Sequence, residues 1–533
     1  MYVQYSALQK KQLLEQQYIN TQSVRLLVCV PDQLRCPMLQ ESLAHQLHRN
    51  FTLTPFSTLF SAMDVDTAGI IFIREDVQLL STALMLFAQS ISDDADFVTA
   101  DAAFGPDCAS ERIGQAARAN DACIAMSAKL VRQVQSTSDM DAFIPSAKTR
   151  AVQVKHIDRV LSVQRRELCY QDLFSGQKKT AMVLCHEFSM TGAPIVLVNA
   201  VPVLQEMGFE VAVISPMDGA AASLFMEAGA AVVLNPEQLG NKALCGIAYS
   251  CDLILANTVC EEDAVSFLNG SPIPVIWWLH DAFIGYPAIE GKIPLKMKQN
   301  VTLCAVGSHA AAAMHSVRPG FKIKQLIYGL PDYAQDAFEK FDLSFAQGKQ
   351  LFVTIGSFEH RKGQDIFCEA IRLLPEEERK RAAFLFVGKV LSFDKEMFPS
   401  VRRLMEQFPE NVFYQEKLSR GEVKSLMQQC DCIVCASRDD PMPTFVTEGL
   451  IFGKPAIVSE HTGTAGLIQD GRNGFIYHDD DPAQLAERLA HMIDHSELSA
   501  QMSAQCRALY EHSFTHQSFA NALQEIVEAA MRK

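Results

Sequence analysis

Three short segments carry side chains whose types and spacing could do chemistry. In GSFEHRKG (356–363), Arg361 and Lys362 stand side by side in a small-residue loop that opens at Gly356. Two adjacent cations can neutralise a diphosphate leaving group, the guanidinium bidentately and the ammonium as a point charge. In SRDDPMPTFVTE (437–448), Asp440 and Glu448 flank a Pro-punctuated turn. A carboxylate there can accept two hydrogen bonds from a sugar diol. A helix expected to begin near Thr444 would leave the N–H groups of Phe445, Val446 and Thr447 unpaired, as donors for an anion. In SMTGAP (189–194), Gly192, after Thr191, lets the backbone approach a ligand, and Pro194 suits a first helical turn. Each segment also has a plain structural reading: a solvated basic turn, carboxylates complementing a helix dipole, an ordinary strand-to-helix turn.

The elements that must position these loops are legible as short apolar runs. AMVLCHEF (181–188), EVAVIS (210–215), AAVVLN (230–235), CDLILAN (251–257), PVIWWLH (274–280) and VTLCAVGS (301–308) read as strands. After KIKQLIYGLP the pattern restarts with QLFVTIGSF (350–358), AAFLFVG (382–388), NVFYQEKL (411–418), DCIVCAS (431–437) and PAIVSE (455–460). Helical stretches such as QDIFCEAIRLLP and RGEVKSLMQQC lie between them. Continuous apolar strands alternating with helices predict parallel sheets covered on both faces. The expected fold is α/β: two doubly wound, Rossmann-like domains facing a cleft, over 180–335 and 345–515, plus an N-terminal α/β accessory domain over 1–175. A last amphipathic helix, 516–533, is placed to cross back to the first of the two. Ligands of such sheets bind at the carboxyl ends of the strands, where the three segments lie. In the N-terminal part, RLLVCVP (25–31), AGIIFIRED (68–76) and DADFVTAD (94–101) read as strands, and 38–48, 79–91 and 110–135 as helices.

Composition narrows the classes. The 533 residues carry a net charge of −15, with 48% apolar and 20% charged residues. This is globular composition. The acidic balance argues against a nucleic-acid partner, which needs a basic stripe, and against an anionic-membrane anchor. No run of about 18 apolar residues is present, so no transmembrane segment is expected. The N-terminal MYVQYSALQKKQLLEQQ has no apolar core of a signal peptide. The 15 cysteines are scattered along apolar segments, as small buried hydrophobes of a reducing cytoplasm would be. Cys432 and Cys435 fall on opposite faces of a strand, so no metal site is expected there.

Together, the residues resemble glycosyltransferase family 4, with its GT-B fold, over roughly 181–533. The motif is the acid pair Asp440 and Glu448 with seven residues between, followed by GKPAIVS (453–459) and DGRNGF (470–475). GSFEHRKGQD is similar to the family's diphosphate loop and TGAP to its glycine-rich loop. The resemblance implies a retaining, metal-independent glycosyltransferase that moves a hexose-type sugar from a nucleotide diphosphate sugar to a glycan, glycolipid or protein acceptor. It implies no cofactor. The donor is a UDP-sugar by preference, with GDP- or ADP-sugars left open. Arg361, Lys362 and the Gly192 loop would take the leaving-group charge. Glu448 would hold the ribose hydroxyls, Asp440 would sit near the hexose, and Phe445 to Thr447 would bind phosphate oxygens. His280, in WWLHD, falls where the family often places a histidine near the donor sugar, with Asp281 beside it as a helix cap. Asp440 in place of the commoner Glu, Pro441-Met442-Pro443 in place of a Gly-containing turn, and Gly466 where many members have an acid depart from the family pattern.

The stretch 68–101 is similar to the core of a family 2, GT-A type glycosyltransferase, in which a carboxylate pair binds a divalent metal. Arg74 stands where the first carboxylate should be, before Glu75 and Asp76, and a cation there opposes metal binding. Residues 1–175 are therefore read as a degenerate remnant serving acceptor recognition or assembly, through a homo-oligomer or a partner transferase. Two other readings of the whole chain stand beside the transferase: a non-catalytic GT-B module that stabilises a partner transferase or binds a glycan, and a nucleotide-sugar epimerase using the same cleft. The remnant reading predicts that Asp76→Ala leaves any Mn²⁺-dependent transfer unchanged. A loss of such activity in that variant would refute it.

Overall fold

A computed structural model describes residues 24–30, 39, 42–43, 46, 48, 50–73, 78–79, 83–104, 116–118, 123–134, 140–164, 168–390, 397–478 and 480–532. The chain forms two compact units. One comprises 1–189 and 208–251, the other 190–207 and 252–533.

In the first unit, Arg25–Val30 lies parallel to both Phe51–Pro55 and Thr67–Ile73. Cys123–Ser127 runs antiparallel between Thr67–Ile73 and Phe97–Phe104. Alternate residues of these strands point to opposite faces, and both faces are covered. Leu26, Val28, Ile71 and Ile73 pack with Leu84 and Phe87 of the helix Ala83–Ser92. Leu27, Cys29, Ile70 and Phe72 pack with Phe56, Leu130 and Phe143. Lys179–Cys185, Phe209–Ser215 and Ala231–Leu234 are parallel neighbours, and Ala231–Leu234 pairs antiparallel with Ala116–Arg118.

Residues 110–135 do not form the expected helix. Among the described residues they hold the strands Ala116–Arg118 and Cys123–Ser127 and only then the helix Ala128–Gln133. A five-residue apolar run such as CIAMS cannot be told from a buried helical turn by periodicity. Its place between two other strands decides. The strands Phe51–Pro55 and Val154–Gln164 add to those expected, and of the helix expected over 79–91 the described residues show Leu79 in the strand Gln78–Leu79 and the helix Ala83–Ser92. Arg74, Glu75 and Asp76, and most of the helix expected over 38–48, lie outside the described residues.

In the second unit, Leu253–Asn257, Val275–Leu279, Val301–Ala305 and Ile323–Gln325 are consecutive parallel strands. A six-stranded parallel sheet follows, in the order Val412–Gln415, Ala382–Val387, Gln350–Ile355, Cys432–Cys435, Ala456–Ser459, Gly474–Tyr477. The reversal of strand order falls between Gln350–Ile355 and Cys432–Cys435. There the loops 356–363 and 437–443 leave adjacent strands side by side, the crevice at which doubly wound sheets bind ligands.

Trp277 and Trp278 are fully buried. Their indole N–H groups donate to the carbonyls of Thr258 at 2.7 Å and Leu326 at 2.9 Å. The C-terminal helix His516–Met531 packs on the helix Ala200–Glu206 and on Val275–Leu279, with Phe519 stacked on Trp278 at 5.4 Å between ring centres. Phe519 is 1% exposed. Phe519→Ala should therefore destabilise this unit by about 3–5 kcal/mol, read as an earlier denaturant midpoint. A change under about 1 kcal/mol would mean that the helix is not part of this core.

Candidate active site

The strand Gln350–Ile355 ends in a loop that turns through a short helical segment, His360–Lys362, and reverses at Gly363. Gly363 has φ +65°, and a Cβ there would sit 1.9 Å from the Ala436 carbonyl oxygen, so only glycine lets this turn close on the neighbouring strand end. The closure brings the two charged segments together. Lys362 Nζ meets Asp440 Oδ2 at 2.6 Å, and Arg361 Nη1 lies 3.9 Å from the same oxygen. Arg361 is held by the Asp439 carbonyl at 2.9 Å and by Glu359 at 3.0 Å. Glu359 is in turn bonded by the Ser357 hydroxyl at 2.9 Å. The two segments thus meet through an ion pair, a contact not among the roles expected of Lys362 and Asp440 from the sequence.

Residues not singled out from the sequence hold this arrangement. Arg438 donates to Asp365 through both terminal nitrogens, at 2.8 and 2.7 Å, and to the His360 carbonyl at 2.9 Å. Burial alone would raise Asp365, but the Arg438 guanidinium outweighs it and holds the carboxyl below its ordinary range. Glu448, 6% exposed, pairs with Arg420 at 2.7 Å. Arg420 is the first residue of the helix Arg420–Gln429, capped by Ser419 and Glu422. The capping box was readable in the sequence. The partner of Arg420 was not, because Glu448 lies on another helix.

The helix Thr444–Ile451 begins where expected. Its start differs from expectation at one donor: Val446 N–H bonds to the Pro443 carbonyl at 3.2 Å, so it is not an unpaired donor. Pro443, at the N-cap in extended conformation, puts that carbonyl within reach. Thr447 Oγ1 bonds to the Tyr328 hydroxyl at 2.8 Å in the interior. The Pro441-Met442-Pro443 turn is buried and fits against two glycines. A Cβ at Gly463 would meet the Pro441 carbonyl oxygen at 1.7 Å, and one at Gly307 would meet Met442 Cε at 2.6 Å. Gly192 opens the helix Gly192–Val198, and Thr191 precedes it. A Cβ at Gly192 would meet only Thr444 Cγ2, at 3.7 Å, which is ordinary contact. Gly356 lies beside the Lys362 side chain, 3.6 Å from its Cδ to a built Cβ.

His280 follows the strand Val275–Leu279, with its ring edge-on to Trp278 at 4.3 Å. Asp281 accepts from Val259 N–H at 2.6 Å and from its neighbour His280 N–H at 3.3 Å. It thus caps the short helix Val259–Glu261 across the sheet, rather than one beside itself. The preceding Thr258 has φ +71°, unusual for a β-branched residue. Cys430, Cys432 and Cys435 are buried free thiols. Burial pushes Cys430 up to about 12 and Cys435 up to about 11.

Residues 177–318 match the family described as glycosyl-transferase family 4, and residues 335–508 match glycosyl transferases group 1. Over 177–318 and 335–508 the chain is thus similar to glycosyltransferases. Both matches cover the strand-end loops described above. Spore coat protein SA of Bacillus subtilis is 27% identical over 190 residues, which is 34% of this chain and 49% of that protein. An uncharacterised glycosyltransferase of Methanocaldococcus jannaschii is 26% identical over 147 residues, 27% of this chain and 38% of that protein. The chain therefore spans about half, or less, of the curated relatives it matches. Anabaena HepE, solved in complex with UDP, superposes with a TM-score of 0.56 at 18% identity, over 66% of this chain and 100% of that one. Its complex with UDP-glucose gives 0.55 at 17% identity, over 66% and 99%. A glycosyltransferase of Rickettsia africae gives 0.53 at 14% identity, over 67% and 100%. These likenesses place the family 4 region in the GT-B fold.

Burial pushes the Asp281 carboxyl from 3.8 up to about 6, against the pull of its two N–H bonds. The folded state thus binds a proton more readily than the unfolded one. Stability falls as pH rises from about 4 to about 6, and the full cost, roughly 3 kcal/mol, is present above that. Asp281→Asn should be more stable than the parent at pH 7 to 8 and gain little at pH 4, read from urea midpoints across pH. An equal effect at both ends would rule out this cause.

Proposed function

We propose that this protein is a retaining, metal-independent transferase that moves a hexose-type sugar from a nucleotide diphosphate sugar to a glycan, glycolipid or protein acceptor. The observation that carries the reading is the convergence of Lys362, Arg361 and Asp440 at the carboxyl ends of two adjacent strands. In this reading the diphosphate lies against Arg361 and Lys362, with the Thr191–Gly192 loop, Gly356 and the start of the helix Thr444–Ile451 as further donors around it. Glu448 receives the ribose diol and Asp440 faces the sugar end, near His280. The bond between the anomeric carbon and the phosphate oxygen breaks. The acceptor oxygen bonds to the same face of that carbon, and its proton passes to the departing phosphate. The two fixed cations stabilise the charge that develops on the leaving group, a task a metal ion performs elsewhere.

UDP-sugars are the first donors to try, because HepE shares the fold and was solved with UDP and UDP-glucose. Buried free cysteines support a cytoplasmic setting. No described helix is long and apolar enough to cross a membrane. Residues 1–175 are assigned to acceptor recognition or assembly.

Wild-type protein and Lys362→Ala should be compared by thermal shift with UDP, GDP and ADP. A nucleotide at 100 times its dissociation constant stabilises the native state by about 2.7 kcal/mol. One nucleotide should shift the wild type, the variant should lose that shift, and EDTA should leave sugar transfer unchanged. If none shifts the wild type, the partner-binding module replaces the enzyme reading. If a nucleotide-sugar is turned over without acceptor, the epimerase does.

A further inference from the structure

Asp439 stands next to Asp440 but serves another partner. Its Oδ1 lies 2.8 Å from His309 Nε2, and its Oδ2 accepts Ile284 N–H at 3.1 Å. The two side chains are 16% and 13% exposed, so the contact is largely covered from water. His309 lies in the first turn of the helix Ser308–Val317, and its ring is edge-on to Phe283 at 5.1 Å. Burial would raise Asp439, but hydrogen bonds from His309 and from the N–H groups of Ile284 and Phe283 outweigh it and hold the carboxyl low. The Asp439 carbonyl, meanwhile, accepts the Arg361 guanidinium at 2.9 Å. The next residue, Asp440, holds Lys362. Asp439 therefore joins the segment 283–309, which follows the His280 strand, to Arg361 directly and to Lys362 through its neighbour Asp440.

We propose that Asp439 and His309 are positioning residues: a latch that fixes Arg361 and Lys362 in the geometry used for transfer. The proposal rests on the donor-site reading above. Neither side chain is placed against the donor in that reading. Each acts through the backbone of Asp439, whose displacement would carry the Arg361 anchor and the Asp440 carboxylate with it. Displacements of about 1 Å at a reacting centre cost on the order of 100-fold in rate, so a contact remote from the phosphate can control turnover.

The test uses the full chain with His309→Ala, Asp439→Ala, the double variant, and His309→Gln. The glutamine amide can donate to Oδ1 as the imidazole does, so that variant separates the hydrogen bond from general damage to the fold. The latch predicts that either alanine lowers kcat about tenfold or more, with KM for the donor changed less than about threefold. The double variant should be no slower than the slower single, because both remove one interaction, and His309→Gln should recover most of the rate. Amide exchange of peptides covering 283–285 and 356–363 should rise together in His309→Ala, without any substrate. Unchanged kcat, multiplying effects in the double variant, or no rise in exchange at 356–363 would overturn the latch. If the wild type neither binds nucleotide nor transfers sugar, the donor-site reading fails, and the exchange measurement alone then decides the latch.

Discussion

The ion pair between Lys362 and Asp440 is the contact on which the site depends. Its side chains are 18% and 6% exposed, so each charge has lost most of its water. Removing one partner of such a pair leaves an uncompensated charge and costs about 3–5 kcal/mol, although the pair itself adds little stability. Its value is geometric. It sets the distance between two strand-end loops, and the surrounding residues defend that distance. Gly363 lets one loop close on Ala436, and Arg438 of the other loop holds the His360 carbonyl and Asp365 at the start of the helix that follows.

The second acid shows the same logic with different exposure. Glu448 is buried, while Arg420, its partner, is 57% exposed. The guanidinium aims the carboxylate without closing it off, since an arginine has more donors than one carboxylate uses. The Pro441-Met442-Pro443 turn between the acids departs from the family pattern but is accommodated. Gly307 and Gly463 supply the room that its bulk requires.

The N-terminal region follows different rules. Its sheet mixes parallel and antiparallel pairs, with Cys123–Ser127 inserted against the direction of its neighbours. Such a sheet needs no crossover helix for each strand, which is why the alternation that marks the parallel sheets fades there.

In the second unit, every strand expected from 251 to 460 is present, most of them trimmed by one to three residues at an end, because long apolar runs between turn residues have few alternative structures. The sequence by itself determined the α/β class, the positions of the parallel strands along the chain and the placing of Arg361, Lys362 and Asp440 just after strands, with Glu448 in the helix that follows. These follow from local periodicity and from motif spacing, both of which are one-dimensional. It did not determine the antiparallel strand at 123–127, the engaged N–H of Val446, or the partners Arg420, Arg438 and His309. Contacts such as Asp439 with His309 join residues 130 positions apart. Nothing local marks them, because their geometry exists only once packing has fixed two separate backbone segments against each other.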